Sequence, residues 1–184
     1  MPSPTERFSA GSIARGALIT AMALCAQWLE NLLPAPIPGL PIRLGLANVF
    51  TLLLLLLGDR RTAVLSTLLR ALMMVLITGN VSRLAYGLTG GLLSVCGMLL
   101  TDRPRQRGRL GLLGMSVTGA FLYNMGQLLS GLFFVGKSIL AYIPWMGLLS
   151  IPCGALTAFL AATLYRYLPL NGAADKRTPA ETKP

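Results

Sequence analysis

The chain alternates long apolar runs with short polar gaps, and this alternation constrains its fold more than any single motif. The runs cover about 16–33, 44–57, 62–77, 84–100, 112–135 and 139–168. A membrane-crossing helix needs roughly 20 apolar residues, so the pattern reads as six spans. The second run is short for a span and either begins earlier or sits where the bilayer adapts. A soluble reading fails on charge: 12% of the residues are charged, against about 25% in soluble domains. Hydrophobic residues make up 54% and the mean hydropathy is +0.66. The first run, behind a short and weakly basic segment, resembles a signal peptide; Glu30 near its end and the many later runs favour a retained helix instead.

Charge placement orients these spans. With the N-terminus in the cytoplasm, the inner segments hold Arg7, Arg15, Arg60, Arg61, Arg103, Arg105, Arg107, Arg109, Arg166, Lys176, Arg177 and Lys183, whereas the outer gaps hold Arg43, Arg83 and Lys137. Cytoplasmic loops carry the excess of Lys and Arg, and a count of five or seven spans would scramble the asymmetry. The reading is therefore an all-α integral membrane protein. A cytoplasmic N-terminal segment (1–15) precedes a six-helix transmembrane domain (16–168), and a disordered cytoplasmic tail (169–184) follows. The net charge of +10 belongs to this topology. No basic surface interleaved with aromatics is visible, which argues against nucleic acid.

Between the first two runs the chain reads PAPIPGLPIRLGLAN, residues 34–48. Pro34, Pro36, Pro38 and Pro41 exclude a continuous helix, so a stiff connector carries Arg43 to the mouth of the second span, on the outer side. Pro144 marks a helix start and Pro152 a kink in the last span. The polar tail NGAADKRTPAETKP is unsuited to packing.

Polar residues inside the spans are the candidate functional groups. Arg70 lies in TLLRALMMVL, where a charge costs at least ~2.5–3.5 kcal/mol. It therefore needs a partner, a wet cavity or a ligand. Glu30, the one acidic residue within a span, is the structural alternative, imperfectly matched in depth. Asn48 sits one turn into the second span, Asn80 and Arg83 flank the start of the fourth, and Asn124 and Gln127 share a face of the fifth. For any one of them the simpler role is an interhelical hydrogen bond of about 0.6 kcal/mol. Together, Arg43, Asn48, Arg70, Asn80 and Arg83 place donors in the outer half of a small bundle with few opposing carboxylates. That arrangement suits an anionic or acceptor-rich solute. Gly87 and Gly91 form a G-x-x-x-G, and Ala17 and Ala21 an A-x-x-x-A, each fit for close helix packing within the bundle or against a partner.

The missing groups narrow the chemistry. Histidine is absent, which removes the commonest general base and metal ligand. Cys25, Cys96 and Cys153 are scattered through apolar runs without C-x-x-C spacing, so they read as packing residues rather than disulfides or a zinc site. No G-x-x-x-x-G-K-[ST] occurs to bind ATP. Asp59, Asp102 and Asp175 are isolated and form no pair to hold the Mg²⁺ of a diphosphate. No catalytic residue, metal site or cofactor is expected.

PIPGLPIRLGLANVFTLLLLLLG, LLRALMMVLITGN, LAYGLTGGLLSV and GAFLYNMGQLL, in that order over residues 16–168, resemble the membrane family called heptaprenyl diphosphate synthase component I, or Gx transporters. That family is in turn similar to the substrate-binding (S) components of energy-coupling factor (ECF) transporters, six-helix bacterial inner-membrane proteins that dock on a transmembrane subunit with two ATPases. The resemblance makes Arg43, Leu44, Gly45, Leu46, Ala47 and Asn48 a family-defining entrance to the second helix. It places Arg70, Asn124 and Gln127 at family polar positions and implies partner docking through Ala17 and Ala21. Two functions follow as expectations. One is solute capture for ATPase-driven uptake, in the bacterial cytoplasmic (inner) membrane. The other is a non-catalytic membrane subunit assisting polyprenyl diphosphate synthesis. A purely structural assembly role is the third possibility, favoured if no cavity exists and all five polar residues pair internally.

Overall fold

The structure, a computed structural model, describes residues 10–32 and 45–168. The Pro34–Arg43 connector, with the outer placement read for Arg43 at the mouth of the second span, lies outside the described residues. So do residues 1–9 and the tail from 169 onward.

Six α-helices make up the described chain: α1 (Ala10–Leu32), α2 (Leu46–Leu56), α3 (Arg60–Thr78), α4 (Ser82–Gln106), α5 (Leu112–Val135) and α6 (Ile143–Tyr167). A short 3₁₀ segment, Lys137–Tyr142, joins α5 to α6. No strand occurs among the described residues. The breaks fall where backbone chemistry demands them. Gly58, Gly79, Gly108 and Gly136 adopt positive φ at the four turns after α2, α3, α4 and α5, a region that glycine enters without a Cβ penalty. Asp59 starts α3 by accepting the Thr62 N–H at 3.0 Å and the Thr62 hydroxyl at 2.6 Å, which satisfies otherwise orphaned donors of the first turn. Pro144 lies in the first turn of α6, where its missing N–H is harmless. Pro152 is inside α6, which continues through it.

Two helices outrun their apolar stretches. α1 begins at Ala10, before the apolar run at Gly16, and α4 continues through Pro104 to Gln106. Polar turns can extend a helix past a hydrocarbon layer because the backbone bonds remain internal.

Register pairs show how the helices align. Gly87 meets Ala71 and Gly91 meets Thr67 between α4 and α3. Gly126 meets Gly90 and Gly97 meets Leu122 between α5 and α4, and Ser116 bonds to Gly154 and Asn124 to Ser150 between α5 and α6. In each case the residue number rises on one helix as it falls on the other, so α3–α4, α4–α5 and α5–α6 are antiparallel neighbours. Gly16 of α1 abuts Thr62 of α3, bringing their N-terminal ends together. One end of the bundle thus carries Arg15, Arg60, Arg61, Arg103, Arg105, Arg107, Arg109 and Arg166. The opposite end carries Arg83 and Lys137 among the described residues.

The short α2 is the hub. It packs on α1, α3, α4, α5 and α6 and buries Ala47, Asn48, Val49, Thr51 and Leu52 to Leu55. A helix apolar all round belongs inside a bundle, and at 11 residues it is only about 17 Å long. Enclosed by protein, it has no need to match the bilayer. Four stretches are long and apolar enough to cross a membrane: Gly11–Leu32, Arg60–Thr78, Ser82–Gln106 and Lys137–Tyr167. α5 has comparable length but carries Tyr123, Asn124 and Gln127 in mid-helix.

Candidate functional site

Three helices each contribute two polar residues spaced by three, which places each pair on one helix face: Gln27 and Glu30 on α1, Asn48 and Thr51 on α2, Thr67 and Arg70 on α3. Gln27, Asn48, Thr51, Thr67 and Arg70 are all buried, and Glu30 is partly buried. Arg70 occupies the inward face of α3 together with Ala63, Ser66, Thr67, Ala71 and Met74. A leucine there would complete an ordinary packing stripe.

Arg70 is only 4% exposed. Its Nη2 donates to the Thr51 hydroxyl at 3.1 Å and the Thr67 hydroxyl at 3.4 Å. The Thr67 hydroxyl in turn donates a hydrogen bond to the Ala63 carbonyl at 2.9 Å. Nε and Nη1 are buried without a hydrogen-bond partner. Buried donors are almost always satisfied, because each unmet one costs about 1–3 kcal/mol, and more on a charged group. An unmet pair on a guanidinium is therefore an unusual feature.

The site is completed by α1 and by the entry to α2. Glu30 accepts the backbone N–H groups of Gly45 at 2.7 Å and Leu46 at 3.1 Å. This closes the N-terminus of α2, where a carboxylate also meets the positive end of the helix dipole. Gly45 has φ +76°, which explains why glycine stands before LANVF. Gln27, Glu30, Asn48, Thr67, Arg70 and Tyr123 surround a cavity of about 20 Å³, walled also by Gly87 and Gly91. That is room for one water. A second cavity, of about 10 Å³, lies between Asn48, Ser116, Asn124, Cys153 and Thr157; Gly45, Asn48 and Tyr123 border both.

The residues singled out from the sequence are thus divided. Asn48 and Arg70 share the first cavity, and Asn124 lines the second. Asn124 Nδ2 also donates to the Ser150 hydroxyl at 2.9 Å and the Met146 carbonyl at 3.3 Å, tying α5 to α6. Gln127 is buried one turn further on with an unpartnered Oε1, and borders neither cavity. Asn80 is exposed and accepts the Ser82 N–H at 3.0 Å in the turn ahead of α4. Arg83, in the first turn of α4, also borders neither cavity. Gly87 and Gly91 both face α3 inside the bundle, while Ala17 and Ala21 are exposed on α1.

Thr51, Thr67, Gln27, Tyr123 and the capping role of Glu30 were not singled out from the sequence. The repeated spacing of three between polar residues was the signal that could have found most of them. Asp59 and Asp102 are engaged elsewhere, one as a helix cap and the other with Arg60 and Arg105. Among the described residues, no group of three or more His, Cys, Asp or Glu is placed to hold a metal ion.

Long apolar helices packed around a buried cation define a multi-pass α-helical membrane protein with a polar centre. The chain belongs to the heptaprenyl diphosphate synthase component I family, whose profile matches residues 19–164. The matched span contains every residue of the Arg70 centre. No curated protein and no solved structure gives a significant match to the chain.

Proposed function

We propose that this chain is a non-catalytic membrane subunit that captures a small anionic or acceptor-rich solute at Arg70, for uptake energised by a partner. The carrying observation is Arg70, a residue 4% exposed whose Nε and Nη1 are buried and unpartnered. Those donors present part of the planar fork that recognises carboxylates and phosphates. Asn48 and Gln27 add amide groups, and the cavity has room for one water, so capture requires the surrounding helices to part. In this reading six helices thread the bacterial inner membrane with both termini in the cytoplasm, since the arginine-rich end belongs inside by the positive-inside rule. The exposed Ala17 and Ala21 of α1 offer a close-packing face for an ECF-type transmembrane subunit, with ATPases bound to that subunit.

The test is native mass spectrometry of the gently extracted protein, followed by identification of any released small molecule. A retained solute in the wild type, lost in Arg70→Met, supports capture. A protein that is empty and partnerless under those conditions refutes it.

The family name favours a second reading, a membrane subunit associated with a prenyl diphosphate synthase. It requires copurification with a soluble synthase and altered isoprenoid chain length on deletion; unchanged isoprenoids exclude it.

A further inference from the structure

At the basic end of the bundle a buried carboxylate orders two arginines, Arg60 and Arg105, beside four that it does not hold. Asp102, 1% exposed, accepts from Arg60 Nη2 at 2.6 Å and Arg60 Nε at 3.1 Å. It also accepts from Arg105 Nη2 at 3.2 Å and Gln106 Nε2 at 3.0 Å. This single carboxylate joins the start of α3 to the last turns of α4, and so brings the α2–α3 and α4–α5 turns together. Around it Arg61, Arg103, Arg107 and Arg109 are exposed, with no ion pair among the described residues. The other acid at this end, Asp59, is spent on Thr62. The start of α3 and the junction of α4 with α5 thus carry six arginines against two committed carboxylates.

The apolar surface next to these cations decides what they meet. Leu65 stands four residues after Arg61, Leu100 three before Arg103 and Leu113 four after Arg109, each on the same helical side or in the adjoining first turn. They are 63%, 76% and 57% exposed. A guanidinium one turn from an outward leucine fits a molecule with an anionic head and a hydrocarbon tail. An acidic protein surface would satisfy the arginines and leave the leucines unmatched. We infer that this end is a binding site for anionic phospholipid, with the phosphate held by Arg61, Arg103 and Arg109 and the acyl chains lying along Leu65, Leu100 and Leu113. The inference is independent of solute capture at Arg70.

The experiment uses the full chain in detergent, offered phosphatidylglycerol and phosphatidylcholine with matched acyl chains, and reads retained lipid by native mass spectrometry. Phosphatidylglycerol is retained preferentially, and each of R61Q, R103Q and R109Q lowers that preference roughly fivefold. The triple Arg→Lys variant keeps the charge and retains the lipid, which separates a charge effect from misfolding. R83Q/K137Q, at the opposite end, leaves retention unchanged. Equal retention of the two lipids overturns the inference, as does a triple Arg→Gln variant that still prefers phosphatidylglycerol. Displacement by equimolar inorganic phosphate assigns the patch to free anions and overturns it too. So does loss of a cross-linked acidic protein in the triple Arg→Gln variant while lipid retention stays intact, because the patch would then dock a protein.

Discussion

The Glu30 carboxylate on α1 accepts the backbone N–H of Gly45, fifteen residues on at the start of α2, at 2.7 Å. With a second bond to Leu46, it makes the C-terminal part of α1 the cap of α2. Because α2 touches every other long helix, this capped entry positions the hub of the bundle and, through Asn48 and Thr51, one wall of the Arg70 cavity.

Removing the cap should therefore destabilise the whole bundle. A carboxylate accepting two backbone donors at a helix N-terminus contributes about 1–2 kcal/mol. Glu30→Ala is expected to lose that amount in denaturant titration, and Glu30→Gln, which keeps one acceptor oxygen, about half. If Glu30→Ala is as stable as the wild type, the carboxylate does not hold α2.

Arg70 gives the opposite expectation for stability. Half-satisfied buried charges are often replaced by apolar residues without loss, and Arg70 leaves two nitrogens unmet. Arg70→Met should match or exceed the wild type in thermal midpoint while losing the retained solute. Arg70→Lys keeps the charge but not the planar fork, so its retention should fall between the two. A large stability loss in Arg70→Met would instead make Arg70 a structural residue.

How far these elements could be read in advance depends on what fixes them. The apolar runs and their glycine and proline breaks are local, and the helices follow them closely. Arg70 was visible because a charge within an apolar run is costly wherever it points. Its partners were not, since Thr51 and Thr67 are ordinary helix residues until α2 and α3 are packed together. Asn80, Arg83 and Arg70 were grouped by depth along the chain. Depth does not fix direction around a helix axis, and Asn80 bonds to Ser82 in the exposed turn before α4 while Arg83 borders neither cavity. The burial of α2 on all sides is likewise a tertiary fact; its sequence shows only a short apolar run. The Arg60–Asp102 pair was not legible either, since the two residues lie 42 positions apart.

Close packing of α4 on α5 supplies a further test. A Cβ on Gly126 would stand 2.6 Å from the Gly90 Cα and 2.6 Å from the Thr89 carbonyl oxygen, both backbone atoms that cannot swing aside. Gly126→Ala should push the helices apart and cost about 1–3 kcal/mol. It would also strain the Thr89 hydroxyl bonds to the Gly126 carbonyl at 2.9 Å and Ser130 at 2.6 Å. Gly87 offers the matched comparison, because its added Cβ would meet Ala71 at an ordinary 3.6 Å. Gly87→Ala should be neutral or slightly stabilising, given alanine's higher helix propensity. Equal effects from the two substitutions, measured as shifts in thermal midpoint, would contradict the packing.

The Asp102 cluster closes the other end. Asp102 is buried while Arg60 is 47% and Arg105 25% exposed, so solvent screens the ion pairs, and the hydrogen bonds to a desolvated carboxylate carry most of the effect. Asp102→Asn keeps one acceptor, introduces an amide donor facing guanidinium groups, and removes the charge that gathers Arg60 and Arg105. The expected cost is about 1–2 kcal/mol, with weak dependence on added salt because the carboxylate itself is buried. Asp102→Asn combined with Arg60→Gln should cost less than the sum of the two single changes, since both remove one interaction. Strict additivity in that double-mutant cycle would mean that the 2.6 Å contact contributes nothing to holding α3 against α4.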